Sequence, residues 1–375
     1  MRTPARTGIA VVLGTRPEMV KLAGIIAELG EQARVFHTGQ HYDPALSGDV
    51  WSSLGLPEPE AVLDVGGATR AVQVASALHQ LDVHFAERPP RAVVVQGDTN
   101  ATLAGALAAN AHDIPLIHVE AGLRSFDRAM PEEHNRVMVD HLSDLLCAPT
   151  STNVANLRAE NVAAGRVLLT GNTVVEAVDA QRLDDRAAAA VLDAHGLTPN
   201  RYVLATFHRP ENTDPLDVLT TILEELAKID AEVVAPLHPR TRSRIEKAGL
   251  SHLLAPLTVI DPVPPAEFLA LAGNAAVLVS DSGGVQEECS VLKRPLLVVR
   301  ASTERPEVIG TFAERTNPGP EISLIVNEWL DGLTAKHAEL ARTPSPYGDG
   351  SASARIATAI HSLLARQAEQ HLSVR

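Results

Sequence analysis

Short, continuous apolar runs recur along the chain. Each ends in a polar or glycine-containing turn and is followed by a helical pattern. Ile9–Leu13 leads into Gly14–Glu18 and a helix to about Leu29. Ala92–Val95 leads into Gln96–Thr99 and an Ala/Leu-rich helix, Leu116–Val119 into Glu120–Gly122, and Val167–Leu169 into Thr170–Thr173. Tyr202–Thr206, Glu232–Ala235, Ala276–Val279 and Leu296–Val299 repeat the arrangement further on. Strands without polar alternation are strands buried on both faces, as in parallel sheets. About a dozen such units exceed one sheet of ordinary size. The expected fold class is therefore α/β, with two doubly wound Rossmann-like domains and a cleft between them.

The charged stretch Gln181–Arg186 predicts the crossing, giving an N-terminal domain over residues 1–180 and a second over 181–349. Thr343–Gly350 breaks the helical pattern, and Ala354–Gln367 reads as a final helix. The length of 375 residues suits two such domains.

Charge narrows the possible partners. With 46 acidic against 32 basic residues and 3% aromatics, the chain is a poor match for nucleic acid, which needs basic patches and stacking rings. Cys147 and Cys289 are far apart and each lies in an apolar stretch, so neither a disulfide framework nor a metal spacing is expected, and a cytoplasmic location is. No apolar run approaches the roughly 20 residues of a membrane span.

Arg-Pro-Glu occurs three times after a strand, at Arg16–Glu18, Arg209–Glu211 and Arg305–Glu307. Helix starts explain the Pro and the Glu, and Thr15 with Glu18 makes a capping box. They do not explain three arginines placed where helix N-termini bind anions. Ligands in open α/β sheets bind beyond the carboxyl ends of the strands. Arg16, Asp98, Glu120, His208, His238 and Ser282 all fall there. Ser282-Gly283-Gly284 opens a helix with bare amides suited to phosphate, although glycine pairs are also ordinary turn chemistry. Lys21 is one of only five lysines. Its ordinary reading is a solvated partner of Glu18; the alternative is positive charge beside a diphosphate. Asp98 has an equally ordinary reading as a helix cap, the two histidines as satisfied core residues, and Glu132 as the i,i+4 partner of Arg136. Together, Arg16, Lys21, Arg136, Arg209 and Arg305 suit a small anionic ligand. The chain has no P-loop, no dinucleotide fingerprint after its first strand and no metal motif, so no cofactor and no metal are expected.

At these positions the sequence closely resembles the non-hydrolysing UDP-N-acetylglucosamine 2-epimerases. The matching stretches are GTRPE with Lys21, GDT at Gly97–Thr99, HVEAGLRS at His118–Ser125, PEEHNR at Pro131–Arg136 and TGNTVVEA at Thr170–Ala177. HRPEN at His208–Asn212, HPR at His238–Arg240, SDSGGVQEE at Ser280–Glu288, TERPE at Thr303–Glu307 and PYGDG at Pro346–Gly350 continue the series in family order. The resemblance implies the two-domain architecture also seen in GT-B glycosyltransferases, with the C-terminal helix (350–375) returning to the first domain, and a homodimer. It implies reversible epimerisation of UDP-GlcNAc to UDP-ManNAc through elimination of UDP and a 2-acetamidoglucal intermediate. It places Asp98, Glu120, Glu132 and His208 at the chemistry. It puts Arg16, Lys21 and the Ser282, Gly283 and Gly284 amides at the diphosphate, Arg209 among the substrate-binding residues, Arg136 and His238 in the active cleft, Glu288 on the ribose, Arg305 near the nucleotide and Phe268 near the uracil.

There are two departures. Substrate-activated members carry a Gln-His-Arg motif where this chain has Gln40-His41-Tyr42-Asp43, so the resemblance leaves open whether the activating substrate site is kept. Val263 stands where some members have a polar residue near the base, so base contacts there are expected from backbone alone. The alternatives are an epimerase of a modified UDP-sugar such as a diacetamido uronate, a hydrolysing relative releasing ManNAc and UDP, and a GT-B glycosyltransferase. A nucleotide-sugar sensor is disfavoured, because three carboxylates near an anionic ligand weaken binding unless chemistry uses them.

Overall fold

A computed structural model describes residues 6–39, 51, 54–65, 67 and 69–373, with side chains to residue 369 in the last helix. Gln40–Asp43 lie outside the described residues. The chain divides into two compact units, Met1–Ala177 with Tyr347–Arg375, and Val178–Pro346.

The first unit opens with β1 (Ile9–Leu13) and α1 (Arg16–Leu29), then β2 (Ala33–His37), β3 (Ala61–Val62) and α2 (Arg70–Glu87). It continues with β4 (Ala92–Gln96), α3 (Asn100–Ala111), β5 (Leu116–Val119), α4 (Pro131–Leu142), β6 (Leu145–Ala148), α5 (Ser151–Ala159) and β7 (Val167–Leu169). The seven strands form one parallel sheet in the order β3-β2-β1-β4-β5-β6-β7. The order reverses between β1 and β4, which opens a crevice beyond their carboxyl ends. The division falls within α6 (Val174–Gln181).

Strand β1 shows why its residues are apolar on both sides. Ile9, Val11 and Leu13 pack under α1, while Ala10 and Val12 pack under α2 and α3. Helix α3 is almost all small residues and sits very close to the sheet. A Cβ on its Gly105 would come within 2.9 Å of Val95 and 3.1 Å of Val12.

The second unit contains α7 (Asp185–Ala194), β8 (Tyr202–Thr206), α8 (Pro210–Thr213), α9 (Leu216–Leu226), β9 (Glu232–Pro236), α10 (Pro239–Lys247) and β10 (Thr258–Ile260). α11 (Pro265–Asn274), β11 (Val277–Ser280), α12 (Gly283–Leu292), β12 (Leu296–Val299), β13 (Ala313–Thr316), α13 (Glu321–Asp331) and α14 (Leu333–Arg342) complete it. Its six parallel strands run β10-β9-β8-β11-β12-β13, reversing between β8 and β11.

The last helix, α15 (Ala352–Ser373), belongs to the first unit, where Ile356, Ile360 and Leu364 join the core under α1. Among the described residues no helix is long and apolar enough to cross a membrane, and no cluster could hold a metal ion. Both cysteines are free and buried; burial pushes the Cys147 thiol up to about 12.

Because Ile360 is fully buried against α1, Ile360→Ala should destabilise the first unit by about 2–5 kcal/mol. Denaturant unfolding followed by circular dichroism measures the loss; a change within error would show that the last helix is not part of that core.

Candidate active site

In the first unit the polar residues gather at the carboxyl ends of β1, β4 and β5. Glu18, in the first turn of α1, turns back on the helix start. Its carboxylate accepts from the Gly14 amide (3.0 Å), the Thr15 amide and hydroxyl (both 2.8 Å) and the Thr99 hydroxyl (2.8 Å). Burial raises its pKa above the usual carboxylate range, with these hydrogen bonds opposing. Glu18 thus ties the turn after β1 to the turn after β4. Arg16, at the start of α1, is exposed and has no hydrogen-bond or ion-pair partner among the described residues.

Asp98 is not the cap of α3; Thr99 is, accepting from the Thr102 amide. The Asp98 carboxylate instead receives the Arg136 guanidinium, and its backbone carbonyl accepts from Asn135 (2.7 Å). Arg136 is buried and also bonds Glu133 at 2.6 Å. Glu132, expected as the partner of Arg136, is exposed. The three-residue spacing won over four because Glu133 lies on the inner face of α4, where it also accepts the Ser125 and Phe126 amides.

Glu120 is 4% exposed and adopts a left-handed backbone, φ 66°, rare for a side-chain-bearing residue. Lys21 reaches it at 2.5 Å and Asn172 at 2.8 Å, and Gln96 donates to its other oxygen. Lys21 is therefore neither solvated nor the partner of Glu18: it is the buried counter-ion of Glu120. An isolated buried carboxylate is costly; here three donors replace the solvent.

The second unit has its own cluster beyond β8, β11 and β12. Asp281 is fully buried and accepts from the His208 amide (3.2 Å), the Arg209 amide (3.0 Å) and the Asn212 amide group (3.1 Å), with His208 Nδ1 at 3.0 Å. Burial would raise its pKa, but His208, the Arg209 amide and Asn212 outweigh this and hold it below the usual carboxylate range. His208 is exposed and so is not a core histidine.

Ser282 precedes α12, whose first residue, Gly283, lies against Arg305; a Cβ there would be 3.0 Å from the guanidinium. Arg305 pairs with Glu287 (2.8 Å) and Glu304. Arg300 and Arg209 approach Glu304 at 3.1 and 3.8 Å. Burial lowers the Arg300 pKa, Glu304 opposes, and Arg209 and Arg305 lower it further. Three guanidiniums thus lie close together near the start of α12, sharing the carboxylates of Glu287 and Glu304.

The structure places the remaining candidates on the same unit. His238 is exposed and caps α10, accepting from the Arg240 amide. Phe268 is half-buried on α11, and Glu288 is half-buried on α12 with its carboxylate near Gly284.

The residues not anticipated are Gln96, Glu133 and Asn172 in the first unit, and Asp281, Asn212, Arg300 and Glu304 in the second. Gln96, Asn172 and Asp281 each directly flank a turn already marked by its glycine, and that adjacency is the signal that could have found them.

A family profile described as UDP-N-acetylglucosamine 2-epimerase matches residues 26–361. The UDP-N-acetylglucosamine 2-epimerase of Methanocaldococcus jannaschii is 39% identical over 80% of this chain and 86% of its own. The UDP-2,3-diacetamido-2,3-dideoxy-D-glucuronate 2-epimerase of Pseudomonas aeruginosa is 36% identical over 93% of this chain and 98% of its own. Among solved structures, the M. jannaschii UDP-GlcNAc 2-epimerase in complex with UDP-GlcNAc and UDP superposes with a TM-score of 0.81 at 35% identity, covering 95% of this chain and all of that one.

Asp281 contributes stability that is fully present above the ordinary carboxylate range and is lost as pH falls through its lowered folded value. Asp281→Asn should cost about 1–3 kcal/mol at neutral pH and remove part of the acid sensitivity. Acid titration by circular dichroism tests this; an unchanged acid transition would contradict it.

Proposed function

Because the chain belongs to the UDP-N-acetylglucosamine 2-epimerase family, we propose that it reversibly inverts C2 of UDP-GlcNAc to give UDP-ManNAc. The observation that carries this reading is a pair of carboxylates, Asp98 and Glu120, at neighbouring strand ends, each held by a cation. The C2 proton is not acidic enough for direct removal. In the proposed route the C1–O bond breaks and UDP leaves with the bonding pair. A carboxylate takes the C2 proton, and the C1=C2 bond of a 2-acetamidoglucal forms. Protonation of C2 on the other face and return of the UDP oxygen to C1 complete the inversion. No electrons enter or leave, so the chemistry requires no redox cofactor.

On this reading the second unit holds UDP. Arg209, Arg305 and the amides at Ser282, Gly283 and Gly284 stabilise the departing diphosphate, His208 assists at the sugar, and His238, Phe268 and Glu288 take the nucleoside. The first unit supplies the proton-transfer carboxylates Asp98 and Glu120. Arg136 and Lys21 keep those two oriented. Exposed Arg16 adds positive field at the start of α1, and exposed Glu132 is available to the sugar. The working assembly is a homodimer.

A second reading, a modified UDP-sugar as substrate, is favoured by the P. aeruginosa relative, which matches this chain over a larger share than the M. jannaschii one does.

Proton NMR of the enzyme with UDP-GlcNAc in D2O should show UDP-ManNAc with deuterium at C2. Free ManNAc and UDP would establish a hydrolysing enzyme instead, and inert UDP-GlcNAc with turnover of a diacetamido uronate would establish the second reading. Asp98→Asn and Glu120→Gln should each lower kcat by about 10²–10⁴-fold while calorimetry finds UDP binding nearly unchanged. Near-normal turnover in both would sink the carboxylate assignment.

A further inference from the structure

Asn172 is buried in the turn between β7 and α6. Three of its groups are engaged at once. Its side-chain oxygen accepts from the Val174 amide (3.0 Å), its side-chain nitrogen donates to Glu120 Oε1 (2.8 Å), and its backbone amide donates to the Tyr347 carbonyl (2.8 Å). A backbone amide can only donate, so the Val174 contact fixes which end of the side chain is oxygen and turns the nitrogen toward Glu120. Capping at the start of α6 accounts for the oxygen. It does not account for an amide nitrogen aimed at a buried carboxylate on another strand.

The two backbone contacts mark the places where the chain crosses. It leaves the first unit within α6, which Val174 opens, and re-enters that unit at Tyr347. We infer that Asn172 is a positioning residue for Glu120, and that it ties this carboxylate to both crossing points of the chain.

Further contacts hold the returning segment on the same turn. Arg355 donates to the Thr170 carbonyl (3.1 Å) and grips the Asp349 carboxylate at 2.9 and 2.6 Å. The Ser353 amide donates to Glu176 of α6 at 2.8 Å. Gly171 has φ 85°, and a Cβ on it would stand 3.0 Å from the Tyr347 carbonyl oxygen. Gly348 has φ 104°, and a Cβ on it would stand 3.3 Å from the Gly171 Cα. Backbone meets backbone here, which is why both positions are glycine. At Glu120, Lys21 and Asn172 share one oxygen and Gln96 takes the other. Lys21 arrives on a flexible stem, whereas Asn172 cannot turn without losing Val174. Its amide therefore sets the direction in which the carboxylate points. That Glu120 acts on the sugar rests on the epimerase reading; the tie rests on contacts within the first unit alone.

The test reads the tie and the chemistry separately. Carbon-13 NMR follows the Glu120 carboxyl carbon, assigned by its loss in Glu120→Gln. In Asn172→Ser the shorter side chain still caps Val174 but does not reach Glu120. The carboxyl signal should move, with kcat down about 10²-fold, KM within about threefold and the stoichiometry of UDP binding by calorimetry unchanged. Asn172→Asp keeps the cap but presents an oxygen to Glu120; it should show the same split and serves if the serine variant misfolds. Gly171→Ala presses on the Tyr347 carbonyl and should also move the Glu120 signal and lower kcat; Gly348→Ala, which presses on the turn from the other side, is its substitute. An unmoved signal in the Asn172 variants would overturn the positioning role, and an unmoved signal in the glycine variants would overturn the tie to the returning segment. A moved signal with wild-type kcat would show that the contact does not serve catalysis and would overturn the role as well. If the wild type epimerises no UDP-sugar, the functional reading falls while the carbon signal still decides whether Asn172 holds Glu120.

Discussion

Taking a carboxylate out of water costs several kcal/mol unless donors replace the solvent, and Glu120 sits under that constraint. The replacements come from three separate parts of the first unit: Lys21 on α1, Gln96 at the end of β4, and Asn172 in the turn after β7. A single side chain therefore couples a helix, its own strand's neighbour and a distant turn. Glu18 does the same between the ends of β1 and β4 with neutral donors. The edge of the sheet where chemistry is proposed is held by polar contacts whose loss would leave charges buried. That explains how a left-handed, strained residue can persist there.

Much of this was legible in the sequence. The runs Ile9–Leu13, Leu116–Val119, Val167–Leu169, Tyr202–Thr206 and Leu296–Val299 are strands with those same limits. All but the edge strand Val167–Leu169 are buried almost throughout, and none carried polar alternation to confuse the reading. The strands that gave no signal are those whose burial is incomplete or whose polar residues find partners. β2 contains Arg34, which is buried only because it pairs with Glu60. β13 reads Ala-Glu-Arg-Thr and lies at a sheet edge. β3 is two residues long.

Side-chain pairing was less legible than side-chain location. The position of Glu120 at a strand end followed from chain order; its counter-ion did not, because Lys21 and Glu120 are brought together by the packing of α1 on the sheet. Likewise the choice of Glu133 over Glu132 depended on which face of α4 turns inward. Arg300 follows the apolar strand Leu296–Val299, and only the folded second unit shows it beside Arg209, Arg305 and Glu304. Local periodicity reports burial; it does not report which charges meet across long sequence distances.

The returning helix has a consequence for how the molecule is made. Ile25 and Leu22 leave the ribosome long before Ile356 and Ile360, which complete their core. The whole of the second unit is translated in between. The second unit can fold as an uninterrupted segment while the first waits, with the apolar side of α1 uncovered, until the final helix arrives. Such long-range closure is slow and leaves sticky surface exposed. A chain cut short before α15 would thus fail in a part of the molecule made ahead of the second unit.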